Sequence, residues 1–121
     1  MFTEELDVYK KAHALTLSIY KLTESFPRSE LYGLVSQMRR SASSINANLM
    51  EGGARRTINE RIQFIGISRG SASELKYHII LARDLGFMDR EIASNLIKQT
   101  NDIGQMLSGM IKPRVPSPNN E

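Results

Sequence analysis

The sequence predicts an all-α protein: a single antiparallel up-down-up-down four-helix bundle. Three observations predict it. Apolar residues recur at alternating steps of four and three in three separate stretches. No stretch alternates with period two, and the breaks between stretches are only a few residues long. Such spacing suits helices that pack in knobs-into-holes fashion, and short connections favour antiparallel neighbours. The chain of 121 residues is long enough for one domain with one core.

The first helix carries Val8, Ala12, Leu15, Ile19, Leu22 and Phe26 on one stripe, and Pro27 ends it. Ser29 is placed to cap the second helix, whose stripe is Leu31, Val35, Met38, Ala42, Ile45 and Leu49. Gly52 is expected to take the left-handed conformation that closes this helix. Thr57 followed by Glu60 fits a capping box that opens the third helix, in which hydroxyl and carboxylate each take an orphan N–H. That helix runs from Ile58 to Leu85 with less regular phase, and Gly86–Phe87 closes it, Phe87 folding onto the last turn. Asp89 is placed to cap the fourth helix. Its stripe is Ile92, Leu96, Gln99, Ile103, Met106 and Met110, with one polar slot, and Pro113 stops it. Residues 1–112 thus form the bundle, and 113–121, "PRVPSPNNE", form a flexible C-terminal tail.

Composition narrows the function classes. Cysteine is absent, which removes disulfides and thiolate metal sites. The N-terminal "MFTEELDVYKK" lacks the basic start and apolar run of a secretory signal, and no apolar run is long enough to span a bilayer. A cytoplasmic protein is expected. The formal net charge of +3 is unevenly placed. Residues 1–38 sum to −1 and residues 70–121 to zero, whereas residues 39–69 carry +4. All the basic residues of that central third are arginines: Arg39, Arg40, Arg55, Arg56, Arg61 and Arg69, against Glu51 and Glu60.

These six arginines are the candidate functional set. Guanidinium forks suit phosphate, and several on one surface give salt-dependent binding to a nucleic-acid backbone. The competing reading is a solvated face with intramolecular pairs to Glu51, Glu60 and Glu74. With the turn centred near residue 54, Arg39 or Arg40 is expected beside Arg69, roughly 20 Å down the hairpin. Lys112 and Arg114 would join Arg55, Arg56 and Arg61 at the turn, with Glu4, Glu5 and Asp7 diluting the field. A single aromatic residue, Phe64, falls among the arginines in sequence, so base stacking has little support.

Other motifs are weaker. Gly66 and Gly70, with Ala72 and Ser73, form a stripe of small residues within "FIGISRGSASEL". Mid-helix glycine costs about 1 kcal/mol against alanine, so two of them call for a packing partner: another helix of the same subunit, or a second subunit. His13 and His78 lack the Glu-x-x-His spacing of a di-iron bundle, so no metal or other cofactor is expected. No phosphate-cradling glycine loop and no clear acid–base pair is present, and the serines of "SASS" (residues 41–44) have no base nearby in sequence. A non-catalytic protein is expected.

Three segments carry a family resemblance: "DVYKKAHALTLSIYKLTESFP", "YGLVSQMRRSASSINANLMEGGARR" and "FIGISRGSASELKYHIILARDLGF". Together they resemble the bacterial four-helix-bundle proteins encoded within intervening sequences of 23S rRNA genes, from about Leu6 to Lys112. The matched positions are Arg39, Arg40, Glu51, Gly52 and Arg56, then Arg69, Gly70, Ser71 and Glu74. The resemblance implies a homopentamer, ring-like in shape. It also implies kinship with the accessory proteins of diversity-generating retroelements, basic pentamers that bind nucleic acid and a reverse transcriptase. No catalytic residue carries over. The leading expectation is an oligomer that binds RNA or DNA backbone through its arginines. The alternative is a structural or protein-interaction scaffold, whose sign would be Arg40 and Arg69 buried against Glu51 or Glu74.

Overall fold

The computed structural model describes residues 6–111. Four helices follow one another: α1 (Asp7–Thr23), α2 (Leu34–Gly53), α3 (Ile58–Asp84) and α4 (Arg90–Ile111). A single 3₁₀ turn, Arg28–Glu30, joins α1 to α2. No strand is present among the described residues. The helices pack on one another as an all-α four-helix bundle, with α2–α3 and α3–α4 the most extensive pairings. The segment expected as a tail and the expected stop at Pro113 lie outside the described residues.

The stripes of α1 and α2 build the core much as expected. Ala12, Leu15, Ile19, Met38, Ala42, Ile45 and Leu49 are fully buried. The start of α2 departs. Leu31 is 47 % exposed, because the chain is still in the connecting turn there and α2 starts only at Leu34. Ser29 therefore caps nothing on α2. Instead the Glu30 carboxylate accepts from the Leu34 N–H at 3.3 Å.

α4 is rotated by one position from its expected stripe. Leu96 and Ile103 are buried as expected, but Ala93, Thr100 and Leu107 complete the inner seam. Ile92 is 40 % exposed, and Gln99, Met106 and Met110 lie at its margin. A period near 3.5 leaves two adjacent stripes available, and α4 packs far more extensively on α3 than on α1.

α3 explains its own irregular phase. Ile65, Ser68, Ala72, Leu75, Ile79 and Ala82 form an inward stripe with steps of three and four. Ile67, Gly70, Glu74 and Tyr77 repeat that rhythm on the outward side, where Ile67 and Tyr77 are exposed. Exposed Ile67 and Tyr77 opposite the inward stripe blur the helix's amphipathicity.

The helix ends show how the turns are made. The Thr57 hydroxyl accepts from the Glu60 N–H at 3.1 Å, the hydroxyl half of the expected capping box. Gly86 has φ of +82°. Phe87 N–H donates to the Ala82 carbonyl and Gly86 N–H to the Arg83 carbonyl, the paired bonds of a Schellman motif. Phe87 packs on the core beside Phe26, ring centroids 5.7 Å apart. Asp89 immediately precedes α4, its carbonyl accepting from Ala93 N–H.

Gly52 does not take the left-handed conformation. It lies inside α2, which continues through Gly53, and Gly86 is the one positive-φ glycine among the described residues. What it supplies is close approach: a Cβ there would lie 3.0 Å from Phe64 Cβ and 3.4 Å from the Arg61 carbonyl oxygen.

Candidate nucleic-acid interface

The six arginines fall at three separate stations. Arg39 and Arg40 lie at the α1–α2 corner. Arg39 Nε donates to Thr23 Oγ1 at 3.0 Å and its Nη2 to the Tyr20 carbonyl at 3.2 Å, while its guanidinium sits 4.8 Å over the Tyr20 ring. Arg40 is exposed. Arg55, Arg56 and Arg61 gather at the α2–α3 connection. There Arg55 pairs with Glu51 at 2.6 Å and covers the Phe64 ring at 4.7 Å, and Arg61 Nε donates to the Arg55 carbonyl at 3.0 Å. Arg55 Nε is buried without a partner. Arg56 is exposed at the turn. Arg69 lies on the α3–α4 seam and reaches Ser108 Oγ at 3.3 Å.

Arg69 is therefore not brought beside Arg39 or Arg40. Residue count from the turn sets a side chain's level along the hairpin but not the face it takes. Arg39 turns to α1 and Arg69 to α4, on opposite flanks of the α2–α3 pair. Lys112, Arg114, Glu4 and Glu5 lie outside the described residues. Near Arg69, Lys76 borders a polar groove of about 360 Å³ between α3 and α4.

Pairing is sparse. Of the six, Arg55 alone has a carboxylate within ion-pair distance among the described residues. The burial of Arg40 and Arg69 against Glu51 or Glu74 is not found. Both arginines are exposed, Glu51 is engaged by Arg55, and Glu74 stands 4.0 Å from His78 Nε2.

Folding also sets side chains beside the arginines that the sequence order hid. A hollow of about 510 Å³ at the α1–α2 corner is bordered by Tyr20, Leu31, Tyr32, Arg39 and Arg40. The signal was available. α1 and α2 pair antiparallel, with Asn46 Nδ2 donating to the Tyr9 carbonyl and Thr16 Oγ1 to the Ala42 carbonyl. A turn centred near residue 29 places Tyr20 level with Arg39.

His78 stands with Ser41 and Glu74 in an order that resembles a hydrolytic triad: Ser41 Oγ lies 3.5 Å from His78 Nδ1. Ser41 is 2 % exposed and donates to the Met38 carbonyl, so its oxygen faces the helix interior rather than a substrate. Burial pushes the His78 pKa below its usual 6.5, and the nearby Glu74 carboxylate opposes that shift. Among the described residues no group of three or more acidic or histidine side chains is placed to hold a metal ion. No described helix is long and apolar enough to cross a membrane.

Fold and surface together define a class: a small helical bundle without a described catalytic constellation, carrying dispersed cationic side chains. Residues 4–109 match the family of 23S rRNA-intervening sequence proteins, and the chain belongs to that family. It is similar in fold to a solved protein of unknown function from the S23 ribosomal protein family of Bacteroides thetaiotaomicron VPI-5482. The two chains are 23 % identical with a TM-score of 0.79, over 88 % of this chain and 99 % of the other. No curated protein matches the chain.

Proposed function

We propose that this protein is a non-catalytic homo-oligomer that binds the backbone of nucleic acid through arginines distributed over its surface. One observation carries the reading: Arg39, Arg40, Arg56, Arg61 and Arg69 have no carboxylate partner among the described residues. An unpaired guanidinium retains its full attraction for phosphate, whereas a paired one must first give up its carboxylate. Three weak stations on one subunit become a multivalent surface when copies assemble. The family name, which refers to an rRNA gene, is in keeping with this reading.

The outward stripe of α3 supports assembly. Ile67 and Tyr77 are exposed there, and a Cβ added at Gly66 or Gly70 would meet nothing within 4 Å. These glycines therefore return no packing inside the subunit, and the helical cost they carry favours the subunit-contact reading of the small-residue stripe.

The test is a salt series on a labelled 20-nucleotide RNA, with molecular mass followed by light scattering. Affinity should fall steeply with salt, the logarithmic slope growing by about 0.7 for each phosphate contacted on a single strand. The double reversal R56E/R61E should weaken binding at unchanged helicity. No binding at low salt would remove the nucleic-acid reading, and a monomeric mass at micromolar concentration would remove the assembly.

A further inference from the structure

The α1–α2 corner differs chemically from the other two arginine stations. Of the three it alone sets an almost wholly exposed aromatic ring beside its cations. Tyr32 is 93 % exposed, with its ring nearly free of protein contact, and Leu31 beside it is also exposed. Tyr20 is partly exposed, one part of its ring lying under the Arg39 guanidinium. A second hollow, of about 230 Å³, continues from the first across the shared Leu31, Val35 and Arg39. Arg28 and Glu24 border this second part. The two hollows make one trough with Arg40 at one end and Arg28 at the other.

Arg39 is the fixed point of the trough. Its Nε and Nη2 are tied to Thr23 and the Tyr20 carbonyl, which holds the guanidinium plane against the Tyr20 ring. Its remaining terminal nitrogen, Nη1, has no hydrogen-bond partner among the described residues. A guanidinium already stacked and already tethered loses little freedom when it meets a ligand. Arg40 and Arg28 are exposed cations, and Glu24 is the one carboxylate at the border of either hollow. The Glu30 carboxylate, in the adjoining turn, is engaged by the Leu34 N–H.

We infer that this trough is a stacking subsite for single-stranded nucleic acid. Unpaired bases lie on Tyr32 and on the Tyr20–Arg39 stack, and the flanking phosphates lie on Arg40 and Arg28. The chemistry selects that ligand from other polyanions. A naked phosphate chain makes no use of an exposed tyrosine, and a duplex keeps its base faces covered. The inference rests on the nucleic-acid reading above and adds to it a strand preference and a location.

The experiment compares wild type, Y32A, Y32F and R40A for binding to a labelled 12-nucleotide single-stranded RNA, the matched duplex and inorganic polyphosphate. Because Tyr32 is almost wholly solvent-exposed, Y32A should leave helicity and melting temperature unchanged. It should weaken single-strand binding by about 5- to 100-fold, leave polyphosphate binding as it was, and keep the salt slope. Y32F should bind as wild type does. R40A should lower the salt slope by about 0.7. If wild type binds the RNA, R56E/R61E weakens it and Y32A does not, the stacking subsite is overturned while backbone binding stands. A duplex bound as tightly as the single strand also overturns it. If wild type binds neither RNA nor duplex at low salt, both readings fall together.

Discussion

The α2–α3 seam and the α1–α4 seam are built from the same residue types to opposite effect. Between α2 and α3, small residues let the backbones close. Gly52 touches Phe64, Ser44 Oγ donates to Ser71 Oγ, and Ser68 Oγ donates to the Ile45 carbonyl at 2.7 Å. Between α1 and α4 no hydrogen bond crosses among the described residues. An open groove of about 690 Å³ runs there, bordered by Ser18, Leu22, Ile92 and Gln99 among others. The difference teaches that a serine or glycine on a stripe is not itself a packing signal. It tightens a seam only where a facing helix offers a carbonyl, a hydroxyl or a flat side chain at the same level.

Core truncation gives the largest contrast. Leu75→Ala, at a fully buried α3 position, should cost about 2–5 kcal/mol in urea unfolding. Leu22→Ala, on the half-open α1–α4 groove, should cost about 1 kcal/mol, since water already reaches that side chain. Equal losses would mean that the two seams are equally closed in solution.

The glycines give the next. Gly52→Ala forces Phe64 and the Arg61 backbone away and should destabilise by about 1–2 kcal/mol, net of the helical gain. Gly70→Ala meets nothing within the subunit and should stabilise an isolated subunit by about 0.5–1 kcal/mol. If a second copy seats on that face, the same change lowers the assembly's thermal midpoint instead, and the two outcomes separate cleanly by varying protein concentration.

Local opening follows. Amide exchange on α1 should run faster than on the buried middle of α2 and α3, because α1 packs least extensively of the four helices. The smallest effect is on acidification. His78 lies beside the α2–α3 seam, and burial lowers its pKa against the milder pull of Glu74. The unfolded chain then takes up the proton first as pH falls through about 6.5, so stability present above that value is lost below it. His78→Gln should flatten that slope, read as the urea midpoint across pH 5–7.5.

Helix number, order and most of the core were legible because a 3.5-residue period repeated over several turns leaves little choice of element. Facing was less legible. The inner seam of α4 runs through Ala93, Thr100 and Leu107 rather than Ile92, Gln99 and Met106, since a stripe does not say which neighbour will cover it. Gly52 read as a helix end because glycine ends helices often, yet its missing Cβ serves the approach of α3. The arginines were legible as a set but not as three stations. Distance along a hairpin follows from counting residues, whereas orientation around each helix axis needs its partners. Tyr20 and Tyr32 went unread for a related reason: they are remote in sequence from most of the arginines, and the α1–α2 turn brings them to Arg39 and Arg40.

The inward and outward stripes of α3 share no residue, and this separates two properties that are usually entangled. Ile67 and Tyr77 can be recoded to lysine or glutamate without disturbing Leu75 or Ile79. If copies associate through that face, as proposed, a chain painted in that way would keep its interior and lose its taste for its own kind. It would be a tractable specimen for asking, one copy at a time, what a single subunit recognises.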